Sequence, residues 1–154
     1  NLDWIAGFFD GEGSVSLQIY RSQHRRCGYG FTPRIIITQA DRRILRQIQS
    51  RLRCGGLCRR THGVWQIEIR RSLAVRRFIR LVERRCCLKR HQLRLLADAV
   101  KLLEHRENKL LSRKAIMDLL HIAAEIRNLN SDRKRPFTSI ADVRRRANLL
   151  DRYG

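Results

Sequence analysis

The 154-residue sequence predicts an α+β fold, with helices and paired antiparallel strands in the order αββαββα and additional C-terminal helices. Three observations carry this reading. Leu2, Ile5, Ala6 and Phe9 recur at i, i+3, i+4 and i+7, the apolar face of a short helix. Residues 14–20 alternate strictly, Val15, Leu17 and Ile19 against Ser16, Gln18 and Tyr20, as a half-buried strand with a polar face does. A strand-strand-helix pattern then occurs twice within the first 88 residues.

The opening helix stops at a glycine-rich acidic turn, Asp10-Gly11-Glu12-Gly13. Ala6 and Gly7 interrupt its bulky face, which makes sense where another backbone approaches closely. Residues 21–30 read as a long hairpin loop and 31–38 as a second strand, whose Pro33 is best tolerated at an edge or bulge. Thr38-Gln39-Ala40-Asp41 resembles a capping box opening a helix over 40–52, with Ile44, Leu45, Ile48 and Leu52 inward and Arg42, Arg43, Arg46 and Arg51 outward. Gly55-Gly56 ends that helix, and a second hairpin is expected over 57–61 and 64–69 around His62-Gly63. Ser72 is expected to cap a helix running to Arg85, with Leu73, Phe78, Ile79 and Val82 on its apolar side. Helical patterns follow at 91–105, 112–128 and 139–150, with a polar basic loop over 130–136. No linker interrupts the chain, so residues 1–154 read as a single domain, with a core over about 1–88 and C-terminal helices over about 89–154.

The charge points to a polyanionic partner. Lys and Arg number 34 against 14 Asp and Glu, a formal net charge of +20, and nucleic acid leads the possibilities. Most of the basic residues are Arg, whose planar fork suits phosphate and guanine. No apolar run reaches the roughly 18 residues of a membrane span, and no secretory leader opens the sequence, so no membrane partner and an intracellular location, in an organelle or a prokaryotic cytoplasm, are expected. Cys27, Cys54, Cys58, Cys86 and Cys87 are odd in number and irregularly spaced, which fits reduced core thiols better than a disulfide frame or a zinc cluster.

Ile5-Ala6-Gly7-Phe8-Phe9-Asp10-Gly11-Glu12-Gly13 resembles, position by position, the signature of the LAGLIDADG homing endonucleases. In that family the motif helix forms the interface between two αββαββα units, which implies contacts through Ile5, Ala6, Gly7, Phe8 and Phe9, with Trp4 at the interface or in the core. The resemblance implies that Glu12 and the Gly11 carbonyl hold catalytic Mg²⁺ (or Mn²⁺), that Gln39 positions water, and that Arg43 and Lys89 are basic partners at the scissile phosphate. Asp10 is assigned a structural role in capping local backbone. Only one motif is present, so a homodimer is implied, acting on double-stranded DNA with a pseudo-palindromic target. The alternation nominates DNA-binding residues on the polar face: Ser16, Gln18, Tyr20 and Ser22; Thr32, Arg34 and Ile36; Arg59 and Thr61; Gln66 and Glu68. Arg34 and Arg59 would read guanine, Gln18 or Gln66 adenine, and Glu68 cytosine. His24, Arg25 and Arg26 of the hairpin loop, and Arg133 and Lys134 of the late basic loop, would extend the footprint. The implied function is a site-specific, metal-dependent, intron-encoded homing endonuclease making double-strand breaks in a long target. The alternatives are an RNA maturase bound to its own intron RNA and a non-catalytic DNA-binding regulator.

Overall fold

The first apolar stripe folds as α1 (Leu2–Glu12), capped by the Asn1 side chain, which accepts from the Asp3 N–H. In this computed structural model, which describes residues 1–25, 27–105 and 110–130, Ile5, Ala6 and Phe9 are buried. The Phe9 ring meets Phe78 of α3 (Ser72–Val82) edge-on, centroids 4.9 Å apart. Gly13 follows α1 directly, and its N–H donates to the Phe9 carbonyl. A Cβ at position 13 would lie 2.1 Å from a Phe9 ring carbon, so the close passage from helix into strand requires glycine there.

The strands β1 (Gly13–Arg21), β2 (Tyr29–Gln39), β3 (Gly56–Arg59) and β4 (Trp65–Ile69) form one antiparallel sheet in the order β1-β2-β4-β3. Its helix-side face carries Val15, Leu17, Phe31, Ile35, Ile37, Ile67 and Ile69, all buried. Against this face pack α1, α2 (Arg42–Leu52), α3 and α4 (Arg90–Glu104), while α5 (Arg113–Leu129) lies against α4 and β1. Pro33 pairs with Leu17 of β1 where β2 has not yet met β4, so one side of the strand is an edge there, the place a sheet tolerates proline. The turn at His62 and Gly63 is present, both residues at positive φ. Among the described residues no helix is long and apolar enough to cross a membrane.

Several boundaries differ from the expectation. The second helix begins at Arg42 and is capped by Asp41, whose carboxylate accepts the Arg43 N–H at 2.8 Å; Gln39 instead ends β2, held there by pairing with Trp65. Long-range pairing overrides the local capping pattern. Ser72 is the first helical residue of α3 rather than its cap, and the helix passes into a 3₁₀ turn at Glu83–Arg85. Leu73, expected to face inward, is 74% exposed; Val75, Phe78 and Val82 form the buried side of α3. Ser112 does cap α5, accepting from the Ala115 N–H. Of the cysteines only Cys27 and Cys86 are buried, and Cys87 is exposed. The helix expected over 139–150 lies outside the described residues, as do Arg26, Arg133 and Lys134.

Candidate active site

The last turn of α1 sends its two acids to different places. Asp10 is buried, and its carboxylate accepts backbone N–H groups from Cys87 (2.6 Å), Leu88 (3.2 Å) and Lys89 (2.9 Å). These donors lead into α4, whose opening has no side-chain cap of its own. Asp10 therefore caps backbone as expected, but backbone more than seventy residues away rather than local. Burial raises its pKa, yet the three N–H donors and the Lys89 charge outweigh burial and hold the carboxyl below the ordinary range. Burial, and then the Asp10 charge, push the neighbouring Cys86 thiol up to about 12, so it stays a neutral core group.

Glu12 and Gly11 face solvent at the helix end. Lys89 joins them through Asp10, because its Nζ donates to the Asp10 carbonyl oxygen. Gln39 shares this end of the sheet: Gly13 pairs with Ile37, two residues before it. The Gln39 side chain accepts the N–H of Ala40 at 2.7 Å. Arg43 and Gln39 stand on different elements, α2 and β2. Arg43 lies in the first turn of α2, donates to both Asp41 oxygens and is 87% exposed. Their mutual hydrogen bonds lower the Asp41 pKa and raise that of Arg43, so both are charged.

This end of α1 fits a hard divalent cation. The Glu12 carboxylate and Gly11 carbonyl are oxygen donors at a helix C-terminus, where the macrodipole favours positive charge, and the last turn contains no basic residue. Among the described residues no three His, Cys, Asp or Glu side chains gather around a common point. The described part of one chain thus contributes only a portion of a coordination sphere.

The outward face of α1 is not the one expected. Ile5, Ala6 and Phe9, expected at an interface between chains, are wholly buried in their own core and have no surface left to offer. Trp4, Gly7 and Gly11 are exposed, and Phe8 is half-buried with its ring 5.5 Å from that of Trp4. These positions, at i, i+3, i+4 and i+7, form a second stripe on the other side of the helix. Among the described residues, a Cβ at Gly7 would meet nothing within 4 Å.

On the polar face of the sheet, Ser16 pairs across to Arg34 and Gln18 to Thr32, with Tyr20 beside Gly30 and Ile36 between Ser14 and Glu68. Arg59 is not on this face. The register sets Arg59 opposite Trp65 and Cys58 opposite Gln66, and directly paired residues share a face, so Cys58 takes the place expected for Arg59. Four residues of β3 are too few for alternation alone to reveal the phase. Thr61 lies in the exposed 3₁₀ turn beyond the strand, and Ser22, His24 and Arg25 lie in the β1–β2 loop. Gln66 is only 5% exposed, and its Nε2 lacks a hydrogen-bond partner. Glu68 is not free to accept from a base: Arg34 Nε donates to its Oε1, and Arg70 Nε donates to the same oxygen at 2.7 Å. Burial raises the Glu68 pKa, but the Arg70 and Arg34 hydrogen bonds outweigh it and hold the carboxyl low. Arg70 was missed by sequence reasoning because it lies just past the strand, although it continues the parity of Gln66 and Glu68.

The family model of the LAGLIDADG endonucleases matches residues 5–95, well over half of the chain, from the motif helix into α4. The chain belongs to the LAGLIDADG endonuclease family. These residues carry one such motif, and the fold is the mixed α+β fold expected. No curated protein sequence matches it. Among solved structures, the fold is similar to that of the homing endonuclease I-CvuI, crystallised with an I-CreI target DNA and Mg: 23% identity over 97% of this chain and 94% of that one, TM-score 0.86. The archaeal intron-encoded homing endonuclease I-Vdi141I, complexed with DNA, is 19% identical over 97% and 96% of the two chains, TM-score 0.85. The LAGLIDADG homing endonuclease I-SmaMI, bound to cleaved DNA, shares 14% identity over 90% of this chain but only 51% of its own, TM-score 0.72.

Proposed function

We propose that this LAGLIDADG endonuclease works as a homodimer that makes a divalent-metal-dependent double-strand break in a long, pseudo-palindromic DNA site. The observation that carries the reading is the outward stripe Trp4-Gly7-Phe8-Gly11, which runs along α1 to the exposed acid Glu12. Pairing two such stripes about a two-fold axis sets two Glu12 carboxylates and two Gly11 carbonyls side by side, one for each DNA strand. That this chain matches half of the longer I-SmaMI supports the same arithmetic. The intron-encoded origin of I-Vdi141I is extended to this chain on a likeness that covers 97% of it.

Glu12 and the Gly11 carbonyl would hold Mg²⁺, which would supply charge neutralisation at the scissile phosphate and activation of water. Lys89, fixed on the Asp10 carbonyl, supplies a cation beside the developing charge. Gln39 orients water at the sheet end, and Arg43, displayed by Asp41, takes a flanking phosphate. The polar sheet face lies in the major groove.

The test is cleavage mapping on genomic DNA of the source organism with Mg²⁺ or Ca²⁺, followed by sequencing of new ends. A few reproducible staggered breaks, seen only with Mg²⁺, are expected. Absence of breaks beside tight binding to intron RNA would overturn the reading. Binding to the mapped site should weaken steeply with salt, since many Arg-phosphate contacts release counterions.

Gly7→Leu separates dimer from fold. Space around position 7 is open within the protomer and leucine is the better helix former, so thermal stability of the protomer should hold or rise slightly. Sedimentation should nevertheless find monomer, with cleavage lost. A Gly7→Leu dimer would rule out this helix as the interface.

A further inference from the structure

The two central strands carry a charge arrangement that a set of independent base readers would not need. Glu68 and Arg34 are largely enclosed, their side chains 18% and 16% exposed, while Arg70 is 53% exposed. β2 and β4 pair Ile36 with Glu68 and Ile35 with Ile69; continued by one residue, that register sets Arg34 opposite Arg70. Two like charges directly across a ladder repel. Glu68 Oε1 accepts the Nε–H of both, which offsets the repulsion and keeps the two guanidinium groups within roughly two hydrogen-bond lengths of each other. Among the described residues the Nη atoms of both arginines have no protein partner. Each Nη edge is the fork that binds guanine O6 and N7 bidentately.

We infer that Arg34 and Arg70 form a coupled reader of two neighbouring guanines in each half-site, and that Glu68 is its positioning residue rather than a reader of cytosine. The inference rests on the proposal that this sheet lies in the major groove. Arginine has a long stem with many rotamers, so an unanchored fork settles on phosphates as readily as on a base edge. Anchoring both Nε atoms on one carboxylate fixes the planes before DNA arrives. The charge count gives a sign that simple loss of contact would not: removing the Glu68 charge makes the face more basic, which strengthens sequence-independent binding while weakening discrimination.

The experiment is selection from a randomised duplex library in Ca²⁺, with sequencing of bound DNA, for wild type, Glu68→Gln and Arg70→Gln. Wild type should enrich a two-fold symmetric site with adjacent guanines in each half. Glu68→Gln should lose preference at those two positions by roughly 5- to 100-fold each, keep preference elsewhere, and bind competitor DNA more tightly. Arg70→Gln, altered at a half-exposed residue beyond the strand end, should lose one guanine and keep the other, and it tests the assignment even if Glu68→Gln does not fold. A wild-type consensus lacking the guanines, or both variants retaining them, overturns the inference while leaving the endonuclease reading intact. Failure of wild type to enrich any sequence overturns both.

Discussion

Glu12→Gln protein is expected to bind the mapped target in Ca²⁺ at least as tightly as wild type, and to cut it in Mg²⁺ more slowly by about 10³-fold or more. The reason is local. Glutamine keeps the size and one carbonyl oxygen of glutamate but removes the charge that a hard divalent ion requires, and the remaining donor in that turn is the neutral Gly11 carbonyl. Binding is spared because Glu12 is an exposed anion next to a polyanionic ligand, and its charge opposes association. The fold is spared too, since among the described residues no side-chain hydrogen bond of Glu12 holds the turn, which closes through the Gly13 N–H and the Phe9 carbonyl. Gel-shift affinity and single-turnover cleavage on one duplex separate the two effects. Cleavage by Glu12→Gln within tenfold of wild type would remove Glu12 from the metal site.

Asp10→Asn is expected to behave in the opposite way, damaging the fold first. Three backbone donors converge on two carboxylate oxygens. Asparagine offers one acceptor oxygen and turns an NH₂ group toward the remaining N–H donors, leaving buried groups unpaired. Hydrogen bonds to a charged group and the desolvation of stranded donors together make a loss of about 2 to 4 kcal/mol the expected scale. That is a large share of the stability of a domain this size. Cleavage should also fall more than the fraction unfolded accounts for, because the Lys89 backbone and its Nζ are both tied to Asp10.

The pH dependence follows from the same contacts. The folded pKa of Asp10 lies below its unfolded value, so its stabilisation is fully present above the unfolded pKa of about 3.9 and is lost as pH falls through the folded pKa. Denaturation followed at neutral pH and in acid should find the gap between wild type and Asp10→Asn constant near neutrality and closing only in acid. A gap that closes between pH 6 and about 8 would mean another group is responsible.

The elements were legible where many residues repeat one period. The alternation of β1 placed Ser16, Gln18 and Tyr20 on the polar face and Val15 and Leu17 inside, because nine residues fix a phase. β3 has only four, too few to tell Arg59 from Cys58 as the outward residue, and the register with β4 supplies the phase. On α1 the stripe of Ile5, Ala6 and Phe9 was visible, but periodicity says which residues are covered and not what covers them. They are covered by the protomer's own core, Phe9 against Phe78 of α3, so this stripe has no surface to offer a second chain. Gln39 falls inside a local capping pattern, and pairing with Trp65 keeps it in the strand.

By itself the sequence determined the order of elements, the polyanionic partner implied by a charge of +20, and the acidic turn on which the chemistry is placed. These are local or additive properties, readable from spacing and composition. Only the tertiary structure decided that Asp10 caps residues 87–89, that Lys89 is fastened to it, and that one Glu68 oxygen joins Arg34 to Arg70. Each of these joins groups on different elements, except the short step from Glu68 to Arg70. Hydrogen bonds reach only about 3 Å, so such partners are set by where packing brings the elements together, and no local pattern encodes that meeting.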